Sequence, residues 1–248
     1  LSLINKWTMI LSLLSLLHTA AADNGPVQDR FGTSSDTAAI LDTGPHNPFG
    51  RTPTEQCSTQ TLRNGVQLPP MSELYRIWND AKAWGTPEMI QAIVTSAEEM
   101  AWLMPSADPL IVGDISTRFG GYLHGHKSHR SGLDADIGIF TVGGHQPQGG
   151  GFEHVTPETM DYETNWLFWR SLLETGLVDR ILLDQPLIDA MRAHLIDTGE
   201  LSNEEALAIF PPRGTPRLWA MNGVFQHATG HANHIHLRVL CGANELGW

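Results

Sequence analysis

Apolar and polar positions divide the chain into predicted helices and strands separated by turn residues. Thr86 and Pro87 form an N-cap and first-turn pair, which opens a helix running to about Met104. Further helices are predicted over Ser72 to Lys82, Tyr162 to Glu174 and Pro186 to Ile196, and Ser202 with Glu205 reads as a capping box. Strands are predicted at Leu110 to Thr117, Leu133 to Phe140 and Asp179 to Leu183, and from Ile235 into Leu240. Trp166 and Trp169 are assigned to the core. Residues 23–56 are rich in Gly, Pro, Ser, Thr and Asp without sustained periodicity, and read as an extended or disordered arm. A glycine-rich loop, Gly143 to Gly151, reads as a surface connection or as a clamp beside a cleft. No internal repeat is visible, and about 190 residues remain to build one domain, 57–248.

Two predicted strands carry most of the candidate chemistry. HKSHRSGLDAD runs from His126 to Asp136 and HANHIH from His231 to His236; with His124 and His227 they hold seven of the 12 histidines. Side chains two apart on a strand share a face, so His234 and His236 point one way while Ile235 and Leu237 point into packing. Asp134 and Asp136 share a face in the same manner. Gly132 marks a sharp turn that lets His129 fold back toward Asp136. A carboxylate, an imidazole and two strand imidazoles can therefore meet. Such a mixed set suits zinc with one open position, and hence hydrolysis by a water whose pKa falls toward about 7. Standing alone, His18, His46, His145, His154 and His194 read as ordinary surface or capping groups, while His124 and His227 stay undecided.

Composition adds the setting. Lys6 precedes an apolar run, Met9 to Leu17, that ends in small residues at Ala20 and Ala22, the pattern of a cleaved export signal over 1–22. The run is too short to span a bilayer, and no cysteine follows it to carry a lipid anchor. Export permits oxidation, so Cys57 and Cys241 either pair or remain two buried thiols. The formal net charge is −12, which disfavours tracking nucleic acid by charge. An anionic substrate would be met locally, and Arg118, Arg130 and Arg238 lie near the motifs in sequence.

These motifs resemble those of the penicillin-insensitive murein endopeptidases, zinc peptidases of the group that includes lysostaphin-type enzymes, D-Ala-D-Ala metallopeptidases and hedgehog amino-terminal domains. YRIWNDAKAWGTPEMIQAI (Tyr75 to Ile93) and LIVGDIS (Leu110 to Ser116) also look like family segments in the expected order, so the resemblance covers the chain beyond about residue 56. Carried over by position, it implies that His129, Asp136 and His236 are the zinc ligands, that His234 is the catalytic histidine, and that His126 and His231 line the site. Asp134 or Asp114 can orient a ligating imidazole, or else stands as a solvated or turn-capping acid. Arg130 stands where the family often has glutamine, and His124 matches nothing in the pattern.

No Ser-x-x-Lys, Gly-x-Ser-x-Gly, His-Glu-x-x-His or phosphate-binding glycine loop occurs, which leaves serine acylation and nucleotide chemistry unsupported. The expected architecture is α+β, a small antiparallel sheet carrying the zinc site and flanked by helices in a single domain. The expected protein is a periplasmic or secreted zinc endopeptidase acting on peptidoglycan stem peptides and cross-links, at the bond from D-alanine to a diamino acid. The alternatives are a D-Ala-D-Ala carboxypeptidase of the same group and a non-catalytic, hedgehog-like zinc-containing binding protein. Neither nucleic acid nor a stable membrane anchor is expected.

Overall fold

A computed structural model describes residues 60–144, 151–215 and 225–240, all within the compact unit Leu41–Trp248. The expected export signal, the arm, both cysteines and most of the glycine-rich loop lie outside the described residues. Strand β1 (Val66–Gln67) pairs antiparallel with β3 (Trp84–Gly85) in a small two-stranded sheet. The main sheet has six strands: β2 (Tyr75–Ile77), β4 (Leu110–Val112), β5 (Asp134–Gly138), β8 (His234–Val239), β6 (Val178–Leu183) and β7 (Phe225–His227), adjacent in that order. Four helices complete the described fold: α1 (Pro87–Leu103), α2 (Tyr162–Glu174), α3 (Gln185–Asp197) and α4 (Asn203–Ile209). The α+β class and single domain agree with expectation. The sheet is antiparallel at its centre, β4 to β5 to β8 to β6, and parallel in the outer pairs β2–β4 and β6–β7.

Strand alternation sorts the sheet into two unlike faces. Ala135 and Ile137 of β5, Ile235, Leu237 and Val239 of β8, and Ile181 and Leu183 of β6 are all at most 1% exposed. They join one core with Met89, Ile93 and Met100 of α1 and with Phe168 and Trp169 of α2. The other face carries Asp134, Asp136, His234, His236 and Arg238. Burying the first set drives the pairing, at about 25 cal/mol per Å² of apolar surface removed from water. The pairing then dictates where the polar set stands.

Helix α1 begins as its sequence demands. Thr86 Oγ1 accepts from the Met89 amide at 3.2 Å, and Pro87 occupies the first turn, where no amide donor is needed. The Thr86 amide donates to the Gly132 carbonyl at 3.0 Å, which ties the helix start to the turn before β5. Gly132 has φ 72°, and a Cβ there would stand 3.0 Å from both Gly85 Cα and Thr86 N. Glycine is therefore required on conformational and steric grounds. The capping box of Ser202 and Glu205 is formed at the start of α4.

Two expected elements are corrected. Ser72 to Lys82 is not a helix: a turn precedes β2, whose Tyr75 pairs with Leu110, and Asn79 then caps a short 3-10 turn, Asp80–Lys82. Tyr75 is 1% exposed and its hydroxyl donates to the Pro69 carbonyl at 2.6 Å, so parallel pairing and burial of this ring override the local helical pattern. The strand expected over Leu110 to Thr117 ends at Val112, because Gly113 and Asp114 both bond the backbone of Asp136 and leave regular pairing. Among the described residues no helix is long and apolar enough to cross a membrane.

Asn165, fully buried in α2, secures the end of the site-bearing strand. Its Oδ1 accepts from the Phe140 amide at 3.0 Å, and its Nδ2 donates to the Phe140 and Asp161 carbonyls, each at 2.7 Å. Asn165→Ala leaves the buried Phe140 amide without its acceptor, while the Phe140 carbonyl keeps only the Asp161 amide, and should destabilise the domain by about 1–3 kcal/mol in denaturant titration. A loss below about 0.5 kcal/mol would contradict this account.

Candidate metal centre

The register of β5 against β8 assembles the centre. Asp136 lies opposite His236 and Gly138 opposite His234, so one carboxylate and two imidazoles rise from adjacent strands on one face. His129 arrives from the loop before β5. His129 Nε2 and Asp136 Oδ1 are 3.1 Å apart, His236 Nδ1 and Asp136 Oδ1 3.1 Å, and His129 Nε2 and His236 Nδ1 3.2 Å. These three atoms form a nearly equilateral triangle. Donor atoms at zinc bond lengths in a tetrahedron are separated by about 3.3 Å.

The protonation of each ring follows from its outer partner. His129 Nδ1 faces the Ile115 carbonyl at 3.0 Å, and a carbonyl only accepts, so Nδ1 carries the hydrogen. His236 Nε2 faces Asp134 Oδ1 at 2.9 Å and donates for the same reason. In the neutral rings, His129 Nε2 and His236 Nδ1 therefore present lone pairs to each other and to Asp136 Oδ1. That oxygen is buried without a hydrogen-bond partner of acceptable geometry. His129, Asp136 and His236 are 1%, 5% and 8% exposed, so water does not relieve the repulsion. A cation at the centre does, and the donor set fits a divalent metal.

The charges agree with this geometry. Burial alone would raise Asp136, but the His129 and His236 rings beside it outweigh burial and hold its carboxyl well below the usual range. Burial likewise opposes ionisation of Asp134, whose pKa is nevertheless lowered by the His236 hydrogen bond and by Arg238, at 2.6 Å. Burial would lower His236, but Asp134 and Asp136 reverse this and push it up to about 9.

His234 stands beside the triangle, its Nε2 3.5 Å from Asp136 Oδ1 and its Nδ1 2.7 Å from Asn233 Oδ1. Asn233 accepts, so Nε2 is the free acceptor of the neutral ring. Burial pushes His234 down to about 4, against the opposing pull of Asp136. His126 lines the other side, with Nε2 3.0 Å from Asp114 Oδ2 and Nδ1 3.5 Å from Asp136 Oδ2; Lys82 Nζ holds the same Asp114 oxygen at 2.8 Å. One donor atom each from His126, His129 and Asp136 lies within 4.8 Å of the others, a second grouping capable of holding a metal. His231 packs against His234 at 4.9 Å between ring centroids, its Nδ1 donating to the Ala228 carbonyl at 3.2 Å.

Not every expected residue joins the centre. Arg238 sits behind Asp134, Arg130 bonds Gln60 and lies over Tyr122, and Arg118 lies over Trp84 and Phe119. None of the three lines the cleft of about 790 Å³ that opens at the centre; its cations are Arg76 and Lys82. Nearness in sequence does not bring these side chains to the cleft, because successive strand and loop residues point in different directions. His124 is exposed, and His227 accepts from the Gln185 amide at 3.1 Å, away from the centre. The Ile115 carbonyl went unnoticed in the sequence because a backbone acceptor leaves no signature there.

The class defined by this fold and site is an α+β protein with a His/Asp metal-capable group on a sheet face. Residues 55–156 match the family model described as penicillin-insensitive murein endopeptidase, the family expected from the two histidine motifs. The chain is also similar to the penicillin-insensitive murein endopeptidase of Haemophilus influenzae, 40% identical over 74 residues. That alignment covers 28% of this chain and 25% of the relative, so the chain matches about a quarter of the relative's length.

Substituting His129, Asp136 or His236 with Ala should abolish stoichiometric metal uptake in elemental analysis of the folded protein, whereas Asp134→Asn should weaken it about 10- to 100-fold. Full metal in all three Ala variants would remove the ligand assignment. Asp134 and Asp136 push His236 up to about 9, so metal uptake at neutral pH is expected to displace a proton from that ring. Affinity measured by metal competition should accordingly rise about tenfold per unit between pH 6.5 and 8, and a flat profile would contradict the assigned protonation.

Proposed function

We propose that the chain is a zinc-dependent endopeptidase that hydrolyses D-alanyl to diamino acid cross-links in bacterial peptidoglycan, working outside the cytoplasm after export. The observation that carries this reading is the triangle of His129, Asp136 and His236 lone pairs beside an open cleft, with a separate imidazole, His234, free to handle a proton. The name of the Haemophilus influenzae relative, a murein endopeptidase, supports peptidoglycan as the substrate.

In this reading His129 Nε2, Asp136 Oδ1 and His236 Nδ1 hold zinc, with Asp134 and the Ile115 carbonyl fixing the ring orientations. When bound, zinc supplies Lewis-acid polarisation of the scissile carbonyl and makes water acidic enough to ionise near neutral pH. The chain's own residues do the rest. Asn233 keeps the hydrogen of His234 on Nδ1, leaving Nε2 to accept a proton from the attacking water and return it to the leaving amine. Burial keeps that ring neutral at rest, with Nε2 unprotonated. The rings of Trp78 and Phe152, 4.1 Å apart, wall the cleft and limit water around the bound peptide.

Purified protein incubated with cross-linked wall fragments should convert muropeptide dimers to monomers, and a chelator should abolish the conversion. His234→Ala should retain zinc yet lose about 100-fold or more in kcat. Released free D-alanine without dimer cleavage would point instead to a carboxypeptidase, and chelator-insensitive binding without cleavage to a binding protein.

A further inference from the structure

Arg76 sits at the far end of the cleft on the same sheet face as His234. It pairs with Ile111, the residue before Val112; Val112 pairs with Ile137, and the following residue, Gly138, pairs with His234. A row across four strands thus runs Arg76, Ile111, Gly138, His234. Adjacent strands lie about 4.8 Å apart, so three steps put the Arg76 and His234 backbones about 14 Å apart. The floor between them is low, one isoleucine and one glycine. Trp78, Phe152 and His234 form a continuous wall along it, with ring centroids 4.1 Å and 5.0 Å apart in sequence. Gly113 allows this wall, since a Cβ there would come within 2.8 Å of Phe152 Cζ.

Charge singles out Arg76 within this trench. Lys82 is held by Asp114 at 2.8 Å, and Arg238 and Arg180 are paired with Asp134 and Asp179 at 2.6 and 2.8 Å. Arg76 is exposed, lines the cleft and makes no ion pair among the described residues, in a chain whose acids outnumber its lysines and arginines 27 to 15. A guanidinium offers a planar fork that matches a carboxylate at both oxygens. An extended peptide advances about 3.3 Å per residue, so about four residues cover the row.

We propose that Arg76 is a specificity-determining residue that anchors a free carboxylate of the substrate, within about four residues of the bond brought to His234. The substrate class is an extended, carboxylate-bearing peptide lying over Ile111 and Gly138 with its aliphatic part against Trp78 and Phe152. This rests on the peptidase reading of the metal centre.

The test uses the full zinc-loaded chain, as wild type, Arg76→Gln and Arg76→Lys, with muropeptide dimers carrying free carboxylates and with the same dimers after chemical amidation. With free carboxylates, Arg76→Gln should raise KM about 10- to 100-fold while kcat stays within about twofold, and Arg76→Lys should recover part of the loss. With amidated dimers, wild type and Arg76→Gln should behave alike, at the weakened level. An equal fall on both substrates, or no change on either, would overturn the anchor. Should wild type cleave neither, the peptidase reading fails, and calorimetric titration of the same peptides decides the anchor separately. Tighter binding of the carboxylate form by wild type than by Arg76→Gln would sustain it, and equal affinities would end it.

Discussion

Three lone pairs pointed at one another inside a protein are the constraint on which the rest of this molecule turns. His129 Nε2, His236 Nδ1 and Asp136 Oδ1 approach within 3.2 Å with no hydrogen assigned between them in the neutral rings. Left alone, such an arrangement would relax, because each buried acceptor loses its water without gaining a donor. It is held by groups that do not touch the centre. The Ile115 carbonyl and Asp134 claim the outer hydrogens, and Arg238 balances Asp134, so turning either ring inside out would break a buried hydrogen bond. The surroundings thus hold a place for a cation.

The sheet supplies that rigidity through its register. Asp136 faces His236 because Ala135, Ile137, Ile235 and Leu237 are all packed on the opposite face. A slip of one residue would move the whole apolar set to the cleft and the whole donor set into the core, so the energy that stabilises the fold also positions the ligand atoms. The loop carrying His129 is fixed separately, through the Gly132 carbonyl bonded to Thr86 at the start of α1. Packing on one side of the sheet and a helix cap at its edge therefore converge on the same few ångströms.

What could be read in the sequence follows from how local each signal is. The alternation in HANHIH and LDAD announces both strand and face, since a period of two needs no distant partner to be recognised. Thr86-Pro87 and Ser202 with Glu205 likewise carry their own caps. Tyr75 to Ile77 is not legible locally, because its strand character depends on Leu110 to Val112, more than 30 residues away, and nothing nearby distinguishes it from a helical turn. The placement of the arginines is non-local in the same way. Arg130 follows His129 directly yet turns toward Tyr122, whereas Arg76, distant in sequence, shares a row with His234.

The family match and the centre also divide the chain differently. The matched segment, residues 55–156, contains His126, His129 and Asp136 but stops well before His231. Asp136 pairs across the strands with His236, whose Nδ1 supplies the third corner of the triangle around Asp136 Oδ1. The second motif thus supplies a corner of the triangle that lies outside the matched segment. Within the described residues the cleft draws its lining from both segments, with Arg76, Trp78 and Asp114 on one side and Asn233 and His234 on the other. A guanidinium without an ion pair among the described residues at one end of such a cleft, and an electron-rich donor set at the other, are separated by about the length of a short peptide. That separation, more than the centre alone, is what would let the chain distinguish one peptide from another.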